Sequence, residues 1–147
     1  MAVSSFVEYV KAQSGYRSQI VHIEHLPPRK ATYQEPAKSL DDRLESALRA
    51  SGLYPLYTHQ ARAIDLANSG ENLVVVTGAA SGKTLCYNVP VLQSILTDKA
   101  SRALYVFPTK ALAQDQLRSL TELTSLLPCK IRVATFDGDT PREERSY

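Results

Sequence analysis

Apolar positions recur along this chain in two periods, and the change from one to the other divides it. Near the N-terminus Phe6, Val7 and Val10 lie at helical spacing. Ser4 or Ser5 supplies a cap and Gly15 a stop, so residues 4–14 are predicted as a short helix. Gln19 to Leu26 alternates around Val21 and Ile23, which predicts a short strand or extended segment ended by Pro27-Pro28. Residues 27–38 carry three prolines and scattered charge and read as a linker or surface arm. A second helix is expected from Ser39, its cap, with Asp41 and Asp42 in the first turn. Leu40, Leu44, Ala47 and Leu48 form its apolar stripe, and Gly52 closes it.

From residue 53 onward the pattern becomes regular α/β alternation. Thr58 is expected to cap a helix to about Asn68, with Gly70 as its stop. Asn72 to Val76 is a β-branched run, as for a strand buried on both faces. Small residues fill 77–82, and a helix is predicted from Lys83 to about Leu96. Ala103–Phe107 reads as a second strand, ended by Pro108. Thr109 caps a helix to about Leu127, and Lys130–Phe136 is a third strand. Thr140-Pro141-Arg142-Glu143 has the cap, first-turn proline and glutamate of a further helix start. Strand, helix, strand, helix, strand predicts a parallel sheet with right-handed crossovers and flanking helices. The fold class is therefore α/β, as an incomplete sheet behind a short N-terminal helical and extended region. Residues 1–38 form the lead-in and linker, and 39–147 the α/β lobe.

Composition bounds the rest. At 147 residues and 44% hydrophobic, the chain has the size and make-up of about one soluble domain. A net charge of +2 permits a nucleic-acid partner without arguing for one. Cys86 and Cys129 have no CxxC neighbour, so two reduced thiols and no zinc site are expected, in a cytoplasmic setting. No signal-peptide pattern opens the chain, and Leu73–Val76 is too short an apolar run to span a membrane. His22 and His25 lack a third ligand nearby and read as ordinary polar residues.

The chemistry concentrates at Thr77-Gly78-Ala79-Ala80-Ser81-Gly82-Lys83-Thr84. An apolar strand runs into small residues and then Gly-Lys-Thr at a helix start, the arrangement of a phosphate-binding loop. Successive backbone N–H groups and the helix N-terminus receive phosphate oxygens. Lys83 is placed on the β- and γ-phosphates of ATP, and the Thr84 hydroxyl on Mg²⁺. The match to G-x-x-x-x-G-K-[ST] departs at its first position, which is Thr77. Upstream, the Gln60 amide offers the donor and acceptor that adenine requires. Tyr54 and Tyr57 offer rings for stacking or packing. Downstream, Pro108-Thr109-Lys110 places a lysine at a capped helix N-terminus, suited to a nucleic-acid phosphate.

Together these blocks resemble superfamily 2 helicases of the DEAD/DEAH kind, and within them the YprA/MrfA-type helicases. The resemblance rests on Leu56-Tyr57-Thr58-His59-Gln60-Ala61, on residues 77–90, on Ala103 to Gln116, and on Phe136-Asp137-Gly138-Asp139-Thr140-Pro141. It covers roughly residues 40–147 and implies a RecA-like P-loop NTPase lobe. It implies that Gln60 reads adenine and that residues 77–84, with Leu85 next to them, bind nucleotide. Lys83 and Thr84 would be the catalytic members, and Thr84 would hold Mg²⁺ through the nucleotide. Pro108, Thr109, Lys110 and Gln114, with Gly138, Asp139 and Thr140, would track a single DNA strand. ATP-driven 3′-to-5′ movement in DNA repair is the implied role. Ala79 departs from the threonine expected there but keeps the loop small.

No D-E-x-H or D-E-A-D block occurs in the sequence, so the acids that would hold Mg²⁺ and orient the attacking water are missing. The resemblance would add a second lobe, its arginine finger and a cysteine-rich zinc region, and none of these is in the sequence. The chain is accordingly expected to be an N-terminal fragment of a helicase, without ATP turnover of its own. Alternatives are a non-catalytic nucleotide- or nucleic-acid-binding module and a small P-loop kinase. A kinase would leave Gln60 and the Pro-Thr-Lys block without a role.

Overall fold

The structure, a computed structural model, describes residues 3–27, 30–138, 140 and 141. It divides into two units, 1–30 and 31–147. In the first, α1 (Val3–Lys11) is shorter than the periodicity suggests and buries no side chain. Residues 19–26 enter no helix or strand among the described residues, and Val21 is 93% exposed.

The second unit begins inside the expected linker. Tyr33 forms an isolated antiparallel bridge with Tyr57. Gln34 N donates to Leu56 O, and Thr58 N donates to Thr32 O, each at 3.0 Å. Ala37 N donates to Asp65 Oδ1 at 2.8 Å. Thr32, Gln34 and Ala37 thus tie this stretch to α3 and the residues before it.

Among the described residues the helices of this unit are α2 (Asp42–Ala50), α3 (Thr58–Asn68), α4 (Lys83–Thr97) and α5 (Lys110–Ser125). The cap of α2 is Asp41 rather than Ser39, and its Oδ1 accepts from Arg43 N at 3.0 Å. The cap of α3 is Tyr57, so Thr58 becomes the first helical residue. Leu44, Leu48, Leu56, Ile64, Val89 and Leu92 are almost completely buried and form the centre of the core. Leu120, Leu123 and Leu127 extend it from the α5 side. The α2 stripe read from sequence is thus the seam that α2 presents to α4 and α5. Cys86 is buried in this layer and Cys129 half-buried, both as free thiols.

The segments predicted as strands differ from expectation. Residues 72–76, 103–107 and 130–136 are extended, but no ladder joins them among the described residues. Nor are they buried on both faces. Tyr105, Ile131 and Val133 pack on the helical core, and Leu73 and Val75 are half-buried. Val74, Val76, Leu104, Val106 and Phe136 are 75–89% exposed. Period-two alternation is preserved, with apolar residues on the open side as well as the covered one. The helix start read at Thr140–Glu143 lies largely outside the described residues.

The α2 cap also carries a pH-dependent term. Arg43 donates to Asp41 from Nε at 2.8 Å and from Nη2 at 2.6 Å, and also reaches Leu96 O at 3.2 Å. The Arg43 hydrogen bonds hold the Asp41 carboxyl at about 2, below its ordinary 3.8. Because the folded value is the lower one, this contribution is complete above about pH 4 and is lost as pH falls through 2. Asp41→Asn keeps a capping oxygen and removes the charge. Its melting midpoint is expected to lie below wild type at pH 5 and to converge with it between pH 4 and 2.

Candidate nucleotide site

The loop leaving residues 72–76 turns on two left-handed residues, Ala80 at φ 55° and Gly82 at φ 73°. These bends curl residues 77–82 into the start of α4, with Gly82 as its N-cap. Inside the curl sits the Lys83 ammonium. It donates to Gly78 O at 2.6 Å, Thr77 O at 3.1 Å, and the hydroxyls of Thr77 and Ser81 at 3.3 Å each. The two hydroxyls lie 2.5 Å apart. The threonine standing where the motif has glycine is thus used: its side chain closes the ring of oxygens around the ammonium.

The loop is braced from the first turn of α3. His59 Nε2 lies 3.0 Å from Ser81 O. Gln60 Nε2 donates to Gly82 O at 2.9 Å, and Gln60 Oε1 accepts from Tyr57 N at 2.8 Å. Gln60 is only 2% exposed. Sequence reasoning expects this amide to face a base; in the structure both of its ends are engaged within the chain. A buried amide must find partners for both groups, and the loop carbonyl and the helix-start N–H are in reach. Beside the brace Tyr33, Tyr57 and His59 form a column of stacked rings, with centroids 5.3 and 5.8 Å apart. Tyr33 belongs to the stretch read as linker, so nothing in the spacing pointed to it.

Thr84 follows Lys83 in the first turn of α4 and Leu85 turns into the core. Thr84 Oγ1 donates toward Gln116 Oε1 at 3.4 Å, and Tyr87 OH donates to the same oxygen at 2.7 Å. Tyr87 meets Tyr105 edge-on. Burial pushes the Tyr105 hydroxyl up to about 12. Tyr87 and Gln116 lie inside the blocks that carry the resemblance, but nothing in their spacing shows that they meet.

The residues expected at nucleic acid gather at the start of α5. Thr109 caps the helix, its hydroxyl accepting from Leu112 N at 3.2 Å. Pro108 and Lys110 are exposed on either side. Gln114 Nε2 donates to Thr135 Oγ1 at 3.3 Å. The Thr140 hydroxyl accepts from Asp137 N at 2.8 Å and donates to Thr135 O at 3.2 Å, which folds the turn back. That turn brings Gly138 alongside Lys110: a Cβ built there would lie 3.7 Å from Lys110 Nζ. Two blocks far apart in sequence therefore meet. Asp139 lies outside the described residues. Thr109→Ala is expected to cost about 1 kcal/mol, the usual worth of a side-chain cap, read as a lower melting midpoint with α5 amides exchanging faster.

The sequence model of the DEAD/DEAH box helicases matches residues 57–147, which include the loop, both braces and the α5 start. The ATP-dependent helicase YprA of Bacillus subtilis is 45% identical over 95% of this chain and 19% of its own length. The ATP-dependent helicase hrq1 of Schizosaccharomyces pombe is 41% identical over 98% of this chain and 14% of its own. The crystal structure of the helicase MrfA bound to DNA superposes with a TM-score of 0.81 at 42% identity, covering 99% of this chain and 20% of that one. MrfA bound to DNA and AMPPNP matches equally well. The chain thus spans about a fifth or less of these relatives. With the family model covering well over half the sequence, the chain belongs to the DEAD/DEAH box helicase family.

Proposed function

We propose that this chain is the ATP-binding part of an ATP-dependent DNA helicase, with residues 77–85 as its phosphate site. The observation that carries this is the curled loop: Lys83 is held by four loop oxygens at the N-terminus of α4, and His59 and Gln60 fix two successive loop carbonyls. An incoming triphosphate would exchange those oxygens for its own, stronger acceptors. Gln60 enters this reading as the amide that would read adenine and as a brace of the loop, and Tyr33 and Tyr57 offer ring faces beside it.

Mg²⁺ fits the site in one respect. Thr84 offers a hard hydroxyl oxygen next to the phosphate-binding lysine. Among the described residues no group of three His, Cys, Asp or Glu could hold a metal independently of a ligand. The cation would therefore arrive with the nucleotide, where it screens phosphate charge.

The finer fold follows the same reading. Residues 72–76, 103–107 and 130–136 would be strands of a parallel sheet in a RecA-like lobe over 39–147, with 1–38 as lead-in. Their apolar open face supports this, since such a face suits a sheet covered on both sides. Pro108, Thr109, Lys110, Gln114, Gly138, Asp139 and Thr140 would receive the backbone of single-stranded DNA. The test is titration with a fluorescent ATP analogue and Mg²⁺, followed by displacement with ATP. Saturable binding reversed by ATP is expected, and its absence overturns the proposal. Binding of an oligonucleotide should weaken with salt, and salt-independent binding argues against phosphate contacts.

A further inference from the structure

We infer that Gln116, on α5, orients the Thr84 hydroxyl and is a positioning residue for the Mg²⁺-bound form of the nucleotide. The inference rests on the nucleotide site proposed above and adds to it a residue from outside the loop. Thr84 and Tyr87 stand three residues apart near the start of α4, so their side chains share one face. Both hydroxyls point at a single atom, Gln116 Oε1, at 3.4 and 2.7 Å. A carbonyl oxygen has two lone pairs, and these two donors use both. The shorter bond fixes the amide, and the Tyr87 ring is itself held edge-on by Tyr105, with centroids 5.6 Å apart. The acceptor offered to Thr84 is therefore a fixed one.

The consequence lies in the single proton of the threonine hydroxyl. Given to Gln116, it leaves the oxygen lone pairs turned away from α5, available to a cation. Without that acceptor the proton has no fixed partner, and the hydroxyl oxygen is no longer held toward the cation. Gln116 thus acts through Thr84 and touches neither phosphate nor metal.

The experiment measures the affinity of the 147-residue chain for a fluorescent ATP analogue, with Mg²⁺ and with EDTA, alongside melting midpoints. The readout is the gain in affinity that Mg²⁺ confers. Gln116→Leu, which removes the acceptor, is expected to reduce that gain at least fivefold. Gln116→Glu, which keeps an acceptor for both hydroxyls, is expected to preserve it. Tyr87→Phe frees the amide and should reduce the gain about twofold, an independent arm should the leucine variant fold poorly. A full wild-type gain in Gln116→Leu overturns the inference while leaving the nucleotide site standing. So does an equal loss in the leucine and glutamate variants, which would mark Gln116 as packing alone. If wild type binds no nucleotide, the nucleotide site itself falls, and the inference with it.

Discussion

Lys83→Ala is expected to weaken ATP binding by about 10- to 150-fold in the analogue-displacement assay. A charge-assisted hydrogen bond to phosphate is worth about 1.5–3 kcal/mol, and about 1.4 kcal/mol is a factor of ten in affinity. Lys83 supplies one such bond at least. In the free chain its ammonium lies within 2.6–3.3 Å of four loop oxygens, which a phosphate would replace as the stronger acceptor. Alanine removes the charge and also leaves Thr77 O and Gly78 O without their donor. These carbonyls are not deeply buried, so water can replace the lysine and the fold should tolerate the change. The expected signature is lost affinity with a nearly unchanged melting midpoint. Lys83→Arg is not expected to rescue, because a planar fork does not fit a ring of oxygens sized for one ammonium. A variant that binds ATP as wild type does would remove the loop from the site.

Which parts of this were legible beforehand follows from how local each signal is. The loop, the α5 cap and the α2 stripe depend on residues within a few positions of one another. The helix start at Lys83 and the Thr109 cap stand where the sequence places them. Helix starts slipped by a residue or two where two cap-forming residues compete, as Ser39 and Asp41 do. Asp41 prevails because its carboxylate also captures Arg43. The depth of burial of the extended segments was not legible. A run such as Leu73–Val76 shows that its residues suit a sheet, but pairing and covering depend on neighbours the run does not contain. Non-local hydrogen bonds were the hardest to foresee. Gln60 announces an amide capable of reading adenine; that the same amide joins Tyr57 N to Gly82 O is set by the fold and not by any local pattern. Gln116 meets Thr84 and Tyr87 across 32 and 29 residues of sequence, and no spacing in the chain encodes that.

Gly82→Ala tests the brace directly, and its effect on stability should exceed that of the other loop variants. Gly82 has φ 73°, where an added Cβ costs about 1–2 kcal/mol. The new Cβ would also fall 2.5 Å from Gln60 Nε2, closer than any real contact. Gln60 cannot simply swing aside, because it is 2% exposed and both amide ends are bonded. Moving it sacrifices hydrogen bonds worth about 0.5–1.5 kcal/mol each. The expected total is about 3 kcal/mol, a fall of about 6–12 °C in melting midpoint for a chain of this size, together with loss of nucleotide binding. Gly78→Ala is the control. Its Cβ would meet nothing within 4 Å and its φ is not positive, so a change within about 0.5 kcal/mol is expected. A double-mutant cycle separates the two costs. In a Gln60→Ala background the clash partner is gone, and Gly82→Ala should cost only the backbone term of about 1–2 kcal/mol. Equal costs in both backgrounds would show that Gln60 does not hold the loop.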